Sequence, residues 1–389
     1  MESHCSRVRV EHAVRLCLTY KTSGKAVDDS RAMTTFIAIH NFSRTCSEVA
    51  VKAWELKERS GSQGLHFSAD LAKPKPKAGE VLIRVRAASL NYRDLLVAAG
   101  AYVAKVNTSL IPVSDGAGEI IALGEGVTDL AVGDRVVGTF FQKWLAGGIS
   151  PAATSLALGG TVDGMLAEYV TLPETGVVRF PSYLNFAEAA CLPCAAVTAW
   201  NALVETAGIQ AGQTVLVLGT GGVSIFALQI AKLHGARVLV TSSSDEKLAR
   251  AKSMGADAVI NYRDIPDWDQ AVLDVTGGDG VDLVVEVGGA GTLQRSIKSV
   301  RAGGTVAVIG VLTGTGNIDP RPIISRAVRL QGVFVGSRAM LQNLNRAMTQ
   351  CAVRPVIDRI FSLGQAKEAY EHLASGAHFG KVVIEVGAE

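Results

Sequence analysis

The chain has 389 residues, of which 48% are hydrophobic and 19% are charged, so it is long enough for two domains with substantial cores. The 38 Lys and Arg residues nearly balance the 36 Asp and Glu residues, and this balance gives no electrostatic support to binding of nucleic acid or another polyanion. With 41 glycines and only 11 prolines, the composition also excludes a disordered chain, a collagen and a coiled coil.

Cysteine usage and hydropathy indicate the compartment. The six cysteines show no disulfide pattern, which favours a reducing, cytoplasmic compartment. Residues 206–231 carry no charge and could be mistaken for a membrane span. The glycines that interrupt this stretch favour a strand, a tight turn and a buried helix instead. We therefore expect no transmembrane helix and no membrane partner.

The amino-terminal part of the chain divides into a tail and a β-rich region. Residues 1–50 show no persistent hydrophobic period and contain too many acids for a mitochondrial presequence, so we interpret them as a disordered or non-native tail. Glu80–Ala88 then alternates as a strand, and Asp115–Leu123 and Arg135–Gly138 are short apolar strands between glycine-containing turns.

From about residue 187 the pattern changes to alternating helices and strands. The strands are continuous runs of Val, Leu and Ile, which is typical of a parallel sheet covered on both faces. Strands are predicted at Thr214–Leu218, Arg237–Thr241, Ala258–Ile260, Asp282–Val287 and Thr305–Gly310, with helices at Ala189–Thr206, Val223–His234, Asp245–Met254 and Thr292–Val300. Residues 341–389 predict two helices and short strands, the last of them Lys381–Val386.

A glycine-rich turn joins the first parallel strand to the helix after it. Gly219 allows the tight turn, and Gly221 and Gly222 remove side chains that would keep a pyrophosphate from the backbone. The N–H groups of the helix that begins at Val223 then face the phosphate. The flanking strand and helix make this pattern typical of a dinucleotide site, and a glycine turn without a ligand is the alternative.

The residues after the second parallel strand favour NADP(H) over NAD(H). An acidic residue at this place would bind the adenosine ribose hydroxyls of NAD. The chain instead has Ser242 within a run of Thr and Ser, followed by Lys247 and Arg250, and hydroxyls with a cation suit a 2′-phosphate. Alternatively, Lys247 and Arg250 form a solvated helix face paired with Asp245 and Glu246.

Taken together, the motifs resemble those of the medium-chain dehydrogenase/reductase superfamily, and within it the zinc-independent quinone oxidoreductase branch. The segments that carry the resemblance are Ala88–Asp94, Pro112–Glu119, Val132–Val136, Asp163–Tyr169, Gly219–Ser224 and Phe379–Val382. The resemblance implies an α/β fold in which a Rossmann domain, residues 176–325, is clasped by a β-rich GroES-like catalytic domain, residues 51–175 and 326–389. It implies an active site in the cleft between them. It also implies a dimer or a tetramer, and of these we expect a homodimer.

The resemblance also implies that the site lacks zinc. The alcohol dehydrogenase branch has zinc ligands near positions 91, 115 and 194. Here Asn91 and Asp115 leave only Cys194 as a zinc ligand, whereas a catalytic zinc needs three protein ligands. We therefore expect no metal.

Without a metal, the sequence favours hydride transfer from NADPH to a quinone or an α,β-unsaturated carbonyl compound, because the developing oxyanion then needs only a hydrogen-bond donor and a proton. The resemblance implies Tyr92 as the donor, Asn91 as an orienting residue and Asp94 as the anchor of their loop. Packing for Tyr92 and helix capping for Asp94 are the alternatives.

Other positions match cofactor contacts of the family. They are Thr198 near the nicotinamide, Tyr262 near the adenosine, the backbone of Gly310, Val311 and Leu312 at the nicotinamide ribose, the backbone of Phe334 and Gly336 at the carboxamide, and Lys381 at the phosphates or ribose. Two other functions stay open, namely an NAD(P)-dependent alcohol or aldehyde dehydrogenase and a non-catalytic NADPH-binding protein.

Overall fold

The computed structural model describes residues 50–102 and 109–387. The tail predicted for residues 1–50 therefore lies outside the described residues, except for Ala50. A β-hairpin, β1 (Ala50–Leu56) and β2 (Leu65–Ala72), begins the described chain. The sequence pattern did not predict this hairpin.

A seven-stranded sheet forms the first half of the fold, in the order β14-β15-β3-β4-β5-β7, with β6 paired to β3. Its strands are β3 (Glu80–Leu90), β4 (Asp115–Leu123), β5 (Arg135–Gly138), β6 (Tyr169–Pro173), β7 (Val177–Arg179), β14 (Ile357–Ser362) and β15 (Lys381–Glu385). Helix α1 (Tyr92–Ala98) follows β3 directly, and the Asp94 carboxylate caps its first turn by accepting a hydrogen bond of 2.8 Å from the Asn91 N–H. The two carboxyl-terminal strands thus complete a sheet begun near the amino terminus.

A six-stranded parallel sheet forms the other half, in the order β10-β9-β8-β11-β12-β13. Its strands are β8 (Thr214–Leu218), β9 (Arg237–Ser242), β10 (Ala258–Asn261), β11 (Val281–Glu286), β12 (Val300–Val308) and β13 (Arg329–Gly332). This is the strand order of the doubly wound dinucleotide-binding fold, and the predicted α/β class is confirmed. The predicted domain boundaries stay predictions.

Helices cover both sheets. They are α2 (Phe186–Thr206), α3 (Gly222–Leu233), α4 (Asp245–Ser253), α5 (Trp268–Val275), α6 (Ala290–Ser299), α7 (Arg321–Ser325), α8 (Arg338–Cys351) and α9 (Ala366–Ala374). The charge-free stretch contains β8, the glycine turn and most of α3, as predicted. Helix α2 is long and apolar enough to cross a membrane, but 83% of its most apolar window is buried within the protein, so its hydropathy reflects a place in the core.

Candidate functional site

A cavity of about 500 Å³ lies where the two sheets meet. Each of the six parallel strands contributes residues at or just after its carboxyl end, which is where open α/β sheets bind ligands. The opposite wall comes from the start of α1, from Phe140, from α2 and from the start of β15. The cavity is therefore a cleft between the parallel sheet and the mixed sheet.

Nearly all of the site residues predicted from the sequence line this cavity. They are Asn91, Tyr92, Thr198, Gly219, Gly221, Gly222, Val223, Ser242, Lys247, Tyr262, Gly310, Val311, Leu312, Phe334 and Lys381. Asp94 and Gly336 do not line it. Asp94 is buried at the start of α1, and a Cβ atom on Gly336 would lie 2.8 Å from Val197 Cγ2. The contact that each residue makes with a ligand stays a prediction.

The three glycines of the turn are required for different structural reasons. Gly219 has φ of +71°, a conformation that glycine adopts without strain. A Cβ atom on Gly221 would have its nearest neighbour, His378 Nε2, at 3.9 Å, so this residue faces open space. A Cβ atom on Gly222 would lie 2.7 Å from Lys381 Cδ. Gly222 thus makes room for a lysine side chain, a role that the sequence did not indicate.

Lys381 links the glycine turn to the loop before α1. Its side chain passes over Gly222, and its ammonium group donates hydrogen bonds of 2.6 Å to Leu90 O and to Asn91 Oδ1. Only 3% of the residue is exposed. The structure therefore places this ammonium at Asn91, and the predicted contact of Lys381 with the cofactor phosphates or ribose stays a prediction.

Two buried carboxyl groups lie next to this bond. Burial raises the pKa of Asp94 to about 6, against the opposing effects of the Arg93 guanidinium and of the N–H group of Asn91. Burial also raises the pKa of Asp115, against the opposing effect of the Lys381 ammonium group. The wall of the cavity at α1 is therefore backed by a cluster of buried, opposite charges.

The residues at positions 91, 115 and 194 do not fit a zinc ion. Asn91 Oδ1 accepts from Lys381, while the oxygens of Asp115 accept from Ser114 Oγ at 2.7 Å and from the Cys194 N–H at 3.0 Å. Within residues 50–102 and 109–387, no group of three or more His, Cys, Asp or Glu side chains is arranged to hold a metal.

The cavity fits an anionic ligand. Among the described residues, its wall contains Arg93, Lys247 and Lys381 but no Asp or Glu. At the ends of β9 and β10, Ser242 and Tyr262 lie in the same wall as Lys247, whose ammonium group donates to Gly376 O at 2.7 Å. A dinucleotide, with its phosphates and its apolar rings, matches both this charge and the largely uncharged remainder of the wall.

Several wall residues were missed by the sequence analysis. The Arg93 guanidinium lies between the rings of Tyr102 and Phe140, with its central carbon 4.9 and 4.7 Å from the ring centroids. Val335 adopts φ of +57°, which is strained for a β-branched residue, and its carbonyl accepts from Asn201 Nδ2 at 2.8 Å. Arg93 stands in a quoted motif and could have been singled out, whereas no local signal in the sequence indicates the conformation of Val335.

Comparison with known proteins agrees with this geometry. The family model "Alcohol dehydrogenase GroES-like domain" matches residues 77–182, and the model "Zinc-binding dehydrogenase" matches residues 222–350. A zinc-type alcohol dehydrogenase-like protein of Schizosaccharomyces pombe is 44% identical over 80% of this chain and 92% of its own length.

Two further similar proteins carry the names of two different activities. The quinone oxidoreductase of Homo sapiens is 29% identical over 86% of this chain and 97% of its own length. A crystal structure of an NAD-dependent alcohol dehydrogenase is 35% identical, with a TM-score of 0.80 over 86% of this chain and 100% of that one.

Proposed function

The chain belongs to the medium-chain dehydrogenase/reductase superfamily and is an oxidoreductase, and on this basis we propose that it delivers hydride from NADPH to a quinone or an α,β-unsaturated carbonyl compound without catalytic zinc. The observation that carries the proposal is the ammonium group of Lys381 at Asn91. A fixed cation here opposes a metal ion, and it also favours negative charge that develops on a substrate oxygen in the cleft.

The described residues suggest how the chain would hold the cofactor. The glycine turn and the first N–H groups of α3 would bind the pyrophosphate, and Ser242 with Lys247 would bind the 2′-phosphate. Residues 310–312 and Phe334 would hold the nicotinamide end. When bound, NADPH supplies the hydride, and the protein orients it and excludes water.

On the substrate side, Tyr92 is the proposed hydrogen-bond donor. It lines the cavity and is 43% exposed, so it can meet both a substrate oxygen and bulk solvent. The Asn91 side chain is held by Lys381 and would orient the acceptor by its contact in the cavity wall beside Tyr92, while Asp94 fixes the start of α1 through the Asn91 N–H. The proton that completes the reduction then reaches the product through Tyr92 from solvent.

The test is to measure NADPH and NADH oxidation side by side against a panel of quinones and enones, with zinc analysis of the purified protein. Turnover with NADPH well above NADH, and less than one zinc per ten chains, is the expected result. Stoichiometric zinc together with reduction of NAD+ by an alcohol would support the second candidate, an alcohol dehydrogenase, which the names of two similar proteins favour. Dinucleotide binding without turnover on the panel would point to a non-catalytic NADPH-binding protein.

We also propose a cytoplasmic homodimer. All four residues of β13, the edge strand of the parallel sheet, are exposed, and Leu330 on this strand and Ile324 just before it expose 37% and 76% of their surface. An open strand edge of this kind, with an exposed leucine, pairs readily with a second copy. Analytical ultracentrifugation should show a dimer for the wild-type protein. The Leu330→Lys variant should dissociate at higher protein concentration than the wild type.

A further inference from the structure

His378 lies in the cavity wall beside the glycine turn, on the segment between α9 and β15. Its Nε2 atom is the nearest neighbour of a Cβ atom placed on Gly221, at 3.9 Å. Its Nδ1 atom is buried and has no hydrogen-bond partner in the part of the chain that the structure describes. The imidazole ring therefore sits at the edge of the space where a dinucleotide would place its pyrophosphate.

The charges that face this ring are mostly positive. Lys247 from α4 and Lys381 from β15 both face His378, and Asp358 from β14 and His372 from α9 complete its charged surroundings. Asp358 is already paired, since its Oδ2 lies 2.8 Å from His372 Nε2 and its Oδ1 accepts from the Phe379 N–H at 3.0 Å. Its Oδ1 also lies 3.8 Å from the guanidinium of Arg250.

This environment keeps the ring neutral in the free protein. Burial, followed by the Lys247 and Lys381 ammonium groups, lowers the pKa of His378 to about 4. A protonated ring would also leave a buried Nδ1–H group without an acceptor. An anion would oppose the electrostatic part of this effect, because the negative charge of a bound pyrophosphate offsets the two ammonium groups and its oxygens accept a hydrogen bond from Nε2–H.

We propose that His378 is a proton-linked ligand of the cofactor's pyrophosphate, neutral in the free protein and protonated from solution when the dinucleotide binds. The ring would donate Nε2–H to a phosphate oxygen beside Gly221, and one proton would pass from solvent to the ring, with no other bond made or broken. The inference rests on the proposed function, because it requires a dinucleotide in this cavity.

The linkage between proton uptake and dinucleotide binding gives the direction in which affinity changes with pH. If binding returns the pKa of His378 to its ordinary value of 6.5, the complex takes up about 0.7 proton per site at pH 6. The dinucleotide then binds more tightly as the pH falls, with a dissociation constant that decreases about fourfold from pH 8 to pH 6. NADH is the appropriate probe, because it lacks the 2′-phosphate, whose own ionisation near pH 6 would add to the signal.

The experiment is isothermal titration of NADH at pH 6 in two non-phosphate buffers with different ionisation enthalpies, on the full-length protein. Proton uptake should be present in the wild type, absent in H378Q, whose amide can still donate a hydrogen bond, and retained in H66Q, which removes an exposed histidine on β2. Binding without uptake in the wild type, or uptake that persists in H378Q, would overturn the proposal. If neither NADH nor NADPH binds, the proposed function itself fails, and this inference fails with it.

A second measurement avoids any folding defect of the variant. In wild-type protein with ¹³C-labelled histidine, the His378 resonance should titrate below pH 5 in the free protein and at higher pH with saturating NADH. An unchanged midpoint on binding would contradict proton linkage.

Discussion

Lys381 donates a hydrogen bond of 2.6 Å to the side-chain oxygen of Asn91, and this bond fixes which way the Asn91 amide points. Since the oxygen is engaged by the ammonium group, the NH2 group is directed to the other side, towards Ser89 O and Asp115. The same lysine packs over Gly222 at the start of α3. One side chain thus couples the loop before α1 to the glycine turn.

Replacement of Lys381 by Met should destabilise the protein strongly. The change removes the cation that faces buried Asp115 and leaves Asn91 Oδ1 and Leu90 O without their donor. We expect the free energy of unfolding at neutral pH to fall by about 3 kcal/mol, measured by urea denaturation. Lys298→Met, on the exposed face of α6, is the control and should change it by less than about 0.5 kcal/mol. Equal effects of the two substitutions would contradict the prediction.

Alanine substitutions at Gly221 and Gly222 should have opposite consequences. Gly222→Ala places a Cβ atom 2.7 Å from Lys381 Cδ and 3.3 Å from Ala195 Cβ, so it should lower the free energy of unfolding by about 1–3 kcal/mol. Gly221→Ala meets nothing closer than 3.9 Å and should fold normally, but weaken NADPH binding at least about tenfold. Urea denaturation of both variants measures the change in stability, and fluorescence titration of both with NADPH measures the change in binding. A Gly221→Ala protein with unimpaired NADPH binding would argue against phosphate binding at this turn.

Asp94 should make stability depend on pH in the acid range. Its pKa is raised from 3.8 to about 6 in the folded protein, so its contribution is fully present below pH 3.8 and is lost as the pH rises to about 6. The loss is about 3 kcal/mol for a group buried this deeply. Asp94→Asn keeps an acceptor for the Asn91 N–H but cannot titrate. Its free energy of unfolding, measured in urea from pH 4 to pH 7, should therefore lack the decrease that Asp94 causes in the wild type. An identical pH profile for the two proteins would show that Asp94 is not the titrating group.

Lys247 should determine the preference for NADPH over NADH. Lys247→Ala removes a cation from the cavity wall, and we expect the KM for NADPH to rise about tenfold with the KM for NADH nearly unchanged. Lys252→Ala, on the same helix, is the matched control, because its ammonium group donates to Asp257 O and does not line the cavity. A parallel loss for both cofactors in Lys247→Ala would indicate that this lysine does not bind the 2′-phosphate.

The sequence predicted the parallel strands within a few residues because they are buried on both faces and read as apolar runs. Strand β12 begins at Val300 rather than Thr305, since the glycines at positions 303 and 304 interrupt its apolar pattern. The family resemblance implied a last strand before Phe334, but the pattern gave no bounds for β13, because its four residues, Arg-Leu-Gln-Gly, are all exposed and show no alternation. Pattern reasoning thus succeeds where apolar residues recur regularly and fails at β13, which has no buried residue.

For the site, the sequence predicted residues that lie within motifs or directly after strands. It did not predict pairs that meet only through tertiary packing, such as Gly222 with Lys381 or Gly221 with His378. Nor does a sequence indicate that Val335 adopts a left-handed conformation, because that conformation is imposed by the surrounding structure. Because these pairs are far apart in the sequence, only the structure shows that Lys381 and His378 lie beside the glycine turn.

The hydrogen bond of 2.9 Å from the Gly380 N–H to Thr220 O joins the glycine turn to the beginning of β15, and Gly221 and Gly380 form a parallel bridge beside it. This short seam connects the two sheets at the wall of the cleft. If the sheets rotate relative to one another, the seam acts as the pivot, and Tyr92, which follows β3 of the mixed sheet, moves relative to Phe334, which follows β13 of the parallel sheet; these residues are 43% and 44% exposed. A substrate would then enter and leave past these two aromatic rings while the phosphate end of the cofactor stays seated.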